Sequence, residues 1–143
     1  MPEGVQVRLR YIVEAEEREG KLSFSSMHGD AEWEENARQI LIQAKRPEKL
    51  WAYLKARNGD VRSSDWESAA KTAGLDPEWI SKNFEEAKKL LAEDAKVAQG
   101  YKISASPTFV WEGRSVLPGM GSLTKIKGFE NLKMGGKPSG SCN

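Results

Sequence analysis

The stretch Ile103-Ser104-Ala105-Ser106-Pro107-Thr108-Phe109-Val110-Trp111-Glu112-Gly113-Arg114 has the pattern of a loop, a short apolar strand and a tight turn. Residues 108–111 are β-branched or aromatic, and such side chains suit a pleated, half-buried surface. Pro107 has no N–H group and stands at the first strand position, where a missing ladder donor is tolerated. Glu112-Gly113 fits a two-residue turn. The stretch therefore predicts a β-hairpin that is entered through a proline.

The composition is that of a soluble globular domain of ordinary size. The chain has 143 residues, of which 38% are hydrophobic and 30% are charged, and its formal net charge is +1. This balance does not supply the basic footprint of a nucleic-acid-binding protein. No apolar run is long enough to cross a bilayer, so we expect neither nucleic acid nor membrane as a partner.

Two further strands are indicated towards the N-terminus. Val5–Val13 alternates between apolar and polar residues over nine positions, which predicts a strand with Val5, Val7, Leu9, Tyr11 and Val13 on one face. Leu22–Phe24 predicts a second strand, and the charged residues 14–21 between them predict a turn or loop.

Residues 30–100 have helical periodicity. The helix predicted over Asp30–Lys45 begins at a Gly29-Asp30 cap and carries an apolar stripe that starts at Trp33. Three more helical segments follow it. The first covers residues 47–57, with Leu50, Trp51 and Leu54 facing inward, and the second begins at a capping box over Ser64–Glu67. The third covers residues 76–99 and has a break near Asn83. Packing roles are predicted for Trp33, Trp51, Trp66 and Trp79.

The order of elements defines the expected fold class. A strand, a long helical segment, a hairpin and a short helix over Ser122–Leu132 indicate an α/β or α+β protein with a helical insertion. We expect a single domain over residues 1–134, with the insertion at about 30–100. Residues 135–143, rich in Gly and Ser, predict a flexible tail.

The histidine is the first residue with possible chemistry. His28 and Glu32 stand four apart at the predicted start of the first long helix, so the pair could act as an acid/base dyad. Alternatively, His28 caps or packs the helix start and Glu32 interacts with the helix dipole, and this second interpretation is favoured. With one histidine and one cysteine in the chain, neither a metal site nor another cofactor is expected.

The same stretch carries a family signature. The gamma-interferon-inducible lysosomal thiol reductases have Cys-Gln-His-Gly-x-x-Glu-Cys-x-x-Asn-x-x-x-x-Cys, and this chain matches it at His28, Gly29, Glu32 and Asn36. With its Ser106-Pro107-Thr108 step, the chain resembles that family and the DsbA-like oxidoreductases from about residue 5 to residue 132.

The resemblance implies a thioredoxin-like fold with the helical insertion placed between the first strand and the hairpin. It also implies that the Ser106-Pro107 bond is cis, and that Ser106, Pro107 and Thr108 form the loop that receives the backbone of a substrate. Trp111, on the following strand, is expected to line the groove beside that loop. An extracytoplasmic or periplasmic location is implied as well, although no signal peptide is visible.

The departures from the family concern its chemistry. Ser26, Trp33 and Leu41 replace the signature cysteines, Met27 replaces the glutamine, and the βα unit that carries Cys-x-x-Cys does not precede the first strand. Thiol–disulfide exchange needs an activated thiolate and a resolving partner, and the remaining cysteine, Cys142, lies in the predicted tail. We therefore predict an incomplete thioredoxin-like domain without catalytic residues, whose sheet edges stay unpaired unless a longer chain, a partner or a rearranged sheet pairs them.

Three functions stay open on this basis. The chain could be a redox-inert relative that binds a peptide or partner along the Pro107 edge by strand addition. It could be the C-terminal part of an active thiol–disulfide oxidoreductase whose Cys-x-x-Cys lies upstream. It could also be a structural or assembly subunit that associates with itself or with a partner through open edges and the helical insertion.

Overall fold

The computed structural model describes residues 3–60 and 63–133. Over these residues the protein is a mixed α/β structure with two small antiparallel sheets. The chain divides into two compact units: Leu9–Lys102, here called the helical unit, and Met1–Arg8 with Ile103–Asn143, here called the terminal unit. The predicted tail and Cys142 lie outside the described residues, and the single domain over residues 1–134 stays a prediction.

The described residues of the helical unit form one hairpin and five α-helices. The hairpin consists of β1 (Glu14–Arg18) and β2 (Lys21–Ser25). After it come α1 (Asp30–Lys45), a single 3₁₀ turn (Pro47–Lys49), α2 (Leu50–Asn58), α3 (Trp66–Thr72), α4 (Pro77–Lys82) and α5 (Phe84–Gly100). The helices thus fill the range that helical periodicity predicted for the insertion.

Helix boundaries follow from local signals in the sequence. Gly29 precedes α1 with a φ of 92°, a left-handed conformation that favours glycine. Asp76 caps α4 by accepting a hydrogen bond from the Glu78 N–H, and the predicted break at Asn83 separates α4 from α5. The predicted capping box is shifted by one residue, since Asp65 rather than Ser64 caps α3 by accepting from the Ser68 N–H.

The core of the helical unit lies where α1 packs against α5 and α2 packs against α3. Trp33, Trp66 and Trp79 pack against this core, as predicted. The inward position predicted for Trp51 is wrong, because its side chain is 56% exposed and Tyr53 is fully buried instead. Leu50, Tyr53 and Leu54 share one face at helical spacing, and Trp51 projects away from that face.

The strand predicted over Val5–Val13 is wrong, because these residues have no regular secondary structure. Its alternation is nevertheless kept over Leu9–Val13, here called the strap: Leu9, Tyr11 and Val13 pack against the core, and Ile12 is exposed. No strand among the described residues pairs with the strap, and side chains bond part of its backbone instead.

The residues after the strap are also more regular than predicted. The predicted loop over residues 14–21 is largely strand β1, which pairs with β2 from Glu14 opposite Ser25 to Arg18 opposite Lys21. Glu19 and Gly20 form the turn with φ values of 52° and 75°. Positive φ at both positions is the geometry of the two-residue turn that joins twisted antiparallel strands. The second strand, predicted over Leu22–Phe24, is confirmed as part of β2.

The terminal unit contains the predicted proline-entered hairpin, formed by β3 (Thr108–Trp111) and β4 (Ser115–Pro118). The turn is centred on Glu112-Gly113, but Arg114 adds a third residue between the paired Trp111 and Ser115. A 3₁₀ helix over Met120–Lys125 replaces the longer helix predicted over Ser122–Leu132. Gly128, with a φ of 97°, interrupts the helical conformation there.

Candidate functional site

The loop predicted to bind a substrate lies at the entrance to β3. The Ser106-Pro107 peptide bond is cis, as the resemblance implied, and both residues are exposed. The Thr108 hydroxyl donates to the Ala105 C=O at 2.6 Å, and the Gly119 N–H donates to the Pro107 C=O at 2.9 Å. These bonds fix the loop to its own hairpin on both sides of the proline.

The register of the hairpin determines which backbone groups of β3 face outward. Pro107 lies opposite Gly119, and the Gly119 N–H donates to the Pro107 C=O, so these two residues form a hydrogen-bonded pair. In an antiparallel ladder, hydrogen-bonded and non-hydrogen-bonded pairs alternate, so Phe109 and Leu117 form the next hydrogen-bonded pair. Thr108 and Val110 then belong to non-hydrogen-bonded pairs, with their N–H and C=O groups directed away from β4. No other strand of the described residues pairs with that edge of β3.

The outer edge of β4 is interrupted at Pro118, whereas no strand of the described residues pairs with the edge of β3. Pro118 lies opposite Thr108 and has no N–H to offer a further strand. Its C=O accepts a hydrogen bond from the Ser122 hydroxyl at 2.5 Å, so this acceptor is also used. An added strand therefore finds a continuous set of backbone groups only along β3.

Trp111 lies on β3, but its ring packs within its own unit. The indole meets Phe129 edge to face, with ring centroids 6.0 Å apart. Phe129 is buried and Trp111 is half-buried. One face of β3 is therefore anchored by aromatic packing, and any contact that Trp111 makes with a ligand would involve its remaining exposed surface.

The four residues of the family signature lie together at the start of α1, in the helical unit. Glu32 Oε2 accepts from the His28 N–H at 2.9 Å, and Glu32 Oε1 lies 3.2 Å from Nδ1 of the same histidine. Ser26 Oγ donates to the Gly29 C=O at 2.6 Å. Asn36 follows Glu32 by one helical turn. The arrangement resembles a capping box in which a glutamate of the first turn satisfies a backbone N–H ahead of the helix.

The electrostatics of this turn favour an ionised Glu32. Its partial burial alone would raise the pKa, but the hydrogen bonds from the His28 backbone and ring lower the pKa below its ordinary value of 4.5. The Ser26 hydroxyl is directed at a backbone carbonyl rather than at the histidine ring, so no nucleophile is activated by this pair. The contacts of His28, Gly29 and Glu32 are those of a helix start, in line with the capping interpretation of the sequence.

A second polar group, not predicted from the sequence, lies inside the helical unit. The Glu35 carboxylate accepts from Arg38 Nε at 3.0 Å, from Gln39 Nε2 at 2.9 Å and from the Tyr53 hydroxyl at 3.3 Å. Arg57 Nε lies 3.2 Å from the same carboxylate. All the ionic side chains are at least 85% buried, and burial, reinforced by the Glu35 charge, raises the pKa of Tyr53.

A third polar group holds the strap. Gln43 and Asp94 bond its backbone, and the Arg10 guanidinium pairs with Asp94, which is 2% exposed. A recognisable signal was present in the sequence: Asp94 and Arg38 occupy positions of the apolar stripes of their helices, where a polar residue indicates a buried contact.

Within residues 3–60 and 63–133, no cluster of three or more His, Cys, Asp or Glu side chains could hold a metal ion. None of the helices in that part of the chain is both long and apolar enough to span a bilayer. In comparisons with known proteins, no family model, no curated protein and no solved structure matches this chain.

Proposed function

We propose that this protein is a thioredoxin-like domain, related to the DsbA-like oxidoreductases, that binds an extended polypeptide along β3 and performs no thiol–disulfide exchange by itself. The observation that carries the proposal is the open edge of β3 directly after Pro107. The proposed fold and ancestry rest on the match at His28, Gly29, Glu32 and Asn36 together with the Ser106-Pro107-Thr108 step.

Strand addition is the recognition mode that this edge supports. Thr108 and Val110 each offer one backbone N–H donor and one C=O acceptor. They stand two residues apart, which is the spacing at which a neighbouring strand forms its backbone hydrogen bonds. On β4, Pro118 has no N–H and its C=O is bonded by Ser122, so Val116 alone offers an outward donor and acceptor there, and β3 offers the longer set. The partner is therefore an unfolded or extended segment, recognised through its backbone and selected through alternate side chains.

The test removes one outward donor from β3. Val110→Pro deletes an N–H that points away from β4, so the β3–β4 ladder loses no bond. The probe is reduced, carboxymethylated insulin B chain, titrated by isothermal calorimetry. Loss of one backbone hydrogen bond, about 1 kcal/mol, predicts a dissociation constant about fivefold higher than for the unaltered chain.

Val116→Pro is the matched control. Val116 pairs with Val110 in the same non-hydrogen-bonded pair, so this change deletes an outward N–H from the opposite edge of the hairpin. We expect Val116→Pro to bind the probe as the unaltered chain does. Equal weakening by both prolines, or by neither, would contradict binding along β3, and concentration-dependent dimerisation lost in Val110→Pro would instead identify a second copy as the occupant.

A further inference from the structure

The strap is a segment without regular secondary structure whose backbone is bonded by side chains of α1 and α5. Gln43 of α1 makes both bonds that a neighbouring strand would make to Leu9: its Oε1 accepts from the Leu9 N–H at 2.8 Å, and its Nε2 donates to the Leu9 C=O at 2.9 Å. Asp94 of α5 accepts from the Tyr11 N–H at 3.3 Å. These three hydrogen bonds involve backbone groups of the strap, so they do not depend on its side chains.

The side chains of the strap also contact the same two helices, α1 and α5. Arg10 pairs with Asp94, and the Tyr11 hydroxyl donates to Gln39 Oε1 at 2.7 Å. Leu9, Tyr11 and Val13 face the apolar core, whereas Ile12 is 40% exposed. In the order of residues 9–13, the contacts define a sequence preference for an apolar, a basic, an aromatic, an unrestricted and an apolar residue.

We propose that the groove between α1 and α5 is a binding site for extended peptides with this sequence pattern, and that the strap is its built-in ligand. The strap is the first segment of the helical unit and belongs to no helix and to neither sheet ladder. Displacing it therefore breaks no helix and no sheet ladder, and it uncovers the part of the core that Leu9, Tyr11 and Val13 cover. This site is separate from the proposed β3 edge and does not depend on it.

Competition with the strap sets the affinity for an external peptide. A tethered segment has an effective concentration on the order of 10⁻³ M, so the intact strap excludes weaker ligands. Weakening the strap without changing the groove removes this competition. Tyr11→Ala does so, because it deletes a large side chain packed against the core and the hydroxyl bonded to Gln39.

The experiment uses the full chain and a fluorescein-labelled peptide with the sequence of residues 5–13. Anisotropy titrations compare the unaltered chain with Tyr11→Ala, and circular dichroism verifies that the variant is folded. We expect the peptide to bind Tyr11→Ala at least tenfold more tightly than it binds the unaltered chain. If Tyr11→Ala does not fold, Tyr11→Phe, which loses only the hydroxyl, replaces it with a smaller expected gain.

Two altered peptides distinguish this groove from nonspecific binding. The peptide with Arg10→Ala lacks the guanidinium that pairs with the deeply buried Asp94 carboxylate and should bind at least tenfold more weakly. The peptide with Ile12→Ser should bind as the original does, because Ile12 faces outward. Equal affinity for all three peptides, or no gain in the folded strap variant, would overturn the proposal.

Discussion

Glu35→Gln is the substitution whose effect the structure specifies most closely. Glu35 is the carboxylate shared by Arg38 and Arg57, and it also accepts from Gln39 and Tyr53. Glutamine keeps the shape of the side chain but removes the charge and turns one acceptor oxygen into an N–H₂ donor. That new donor faces groups that are themselves donors, and two guanidinium groups lose their common counter-ion.

The magnitude follows from burial. The Glu35 side chain is 15% exposed and each arginine is 11% exposed, so water replaces little of the lost interaction. Breaking a buried ion pair by removing one partner costs about 3–5 kcal/mol, and residual solvent access favours the lower end. We expect the free energy of unfolding to fall by about 3 kcal/mol. With a urea m-value of about 1.5 kcal/mol/M, the midpoint falls by about 2 M.

Urea unfolding followed by far-UV circular dichroism measures this loss, since the helices of the helical unit dominate the signal. Glu93→Gln, at an exposed position of α5, is the control and should change stability by less than about 0.5 kcal/mol. Arg57→Met in the Glu35→Gln background removes one of the two uncompensated cations. The double variant should therefore lose at least about 1 kcal/mol less than the sum of the single variants.

Two outcomes would refute the reasoning. A loss below about 1 kcal/mol for Glu35→Gln would mean that the arginines find other partners or reach water. Strict additivity of Glu35→Gln and Arg57→Met would mean that the carboxylate and Arg57 do not interact in solution, despite their separation of 3.2 Å.

Two further predictions concern the signature turn and the redox chemistry. Glu32→Gln should cost about 0.5 kcal/mol near neutral pH, with Glu34→Gln as control. Because the folded-state pKa of Glu32 is lowered, the difference from the unaltered chain should shrink as the pH falls below 4.5, and a pH-independent difference would contradict the capping role. The chain should show no turnover in an insulin-reduction assay, because its one cysteine cannot form an intramolecular redox pair, and clear turnover would exclude the redox-inert assignment.

The helices were the most predictable part of the fold, because their signals are local. The bounds of α1 and the break at Asn83 follow from apolar spacing and end-signals that lie within a few residues of each boundary. For the strap, the same local signals predicted a strand that is not present. Its alternation correctly identified the buried face, but a strand also needs a neighbour, and whether Leu9 bonds a strand or Gln43 depends on residues far away in the sequence.

The polar interior was the least predictable part. Periodicity marks Arg38 and Asp94 as inward positions, but it does not identify the groups that compensate them. Asp94 pairs with Arg10, which lies 84 residues away in the sequence, and Arg38 shares the Glu35 carboxylate with Arg57 of another helix. No rule of spacing connects positions so distant. Only the three-dimensional arrangement identifies which buried charges compensate each other.

The signature at the start of α1 also has a physical interpretation that spacing alone did not provide. His28, Gly29 and Glu32 form a helix-start cap in which a carboxylate holds the backbone and ring of the histidine. Such a cap orients the first turn of α1 whether or not cysteines stand beside it. The match at His28, Gly29 and Glu32 therefore corresponds to a helix start, and the relationship that we propose rests on it only together with the Ser106-Pro107-Thr108 step. The binding that we propose along β3 requires neither a thiol nor this cap, because it uses the outward backbone groups of Thr108 and Val110.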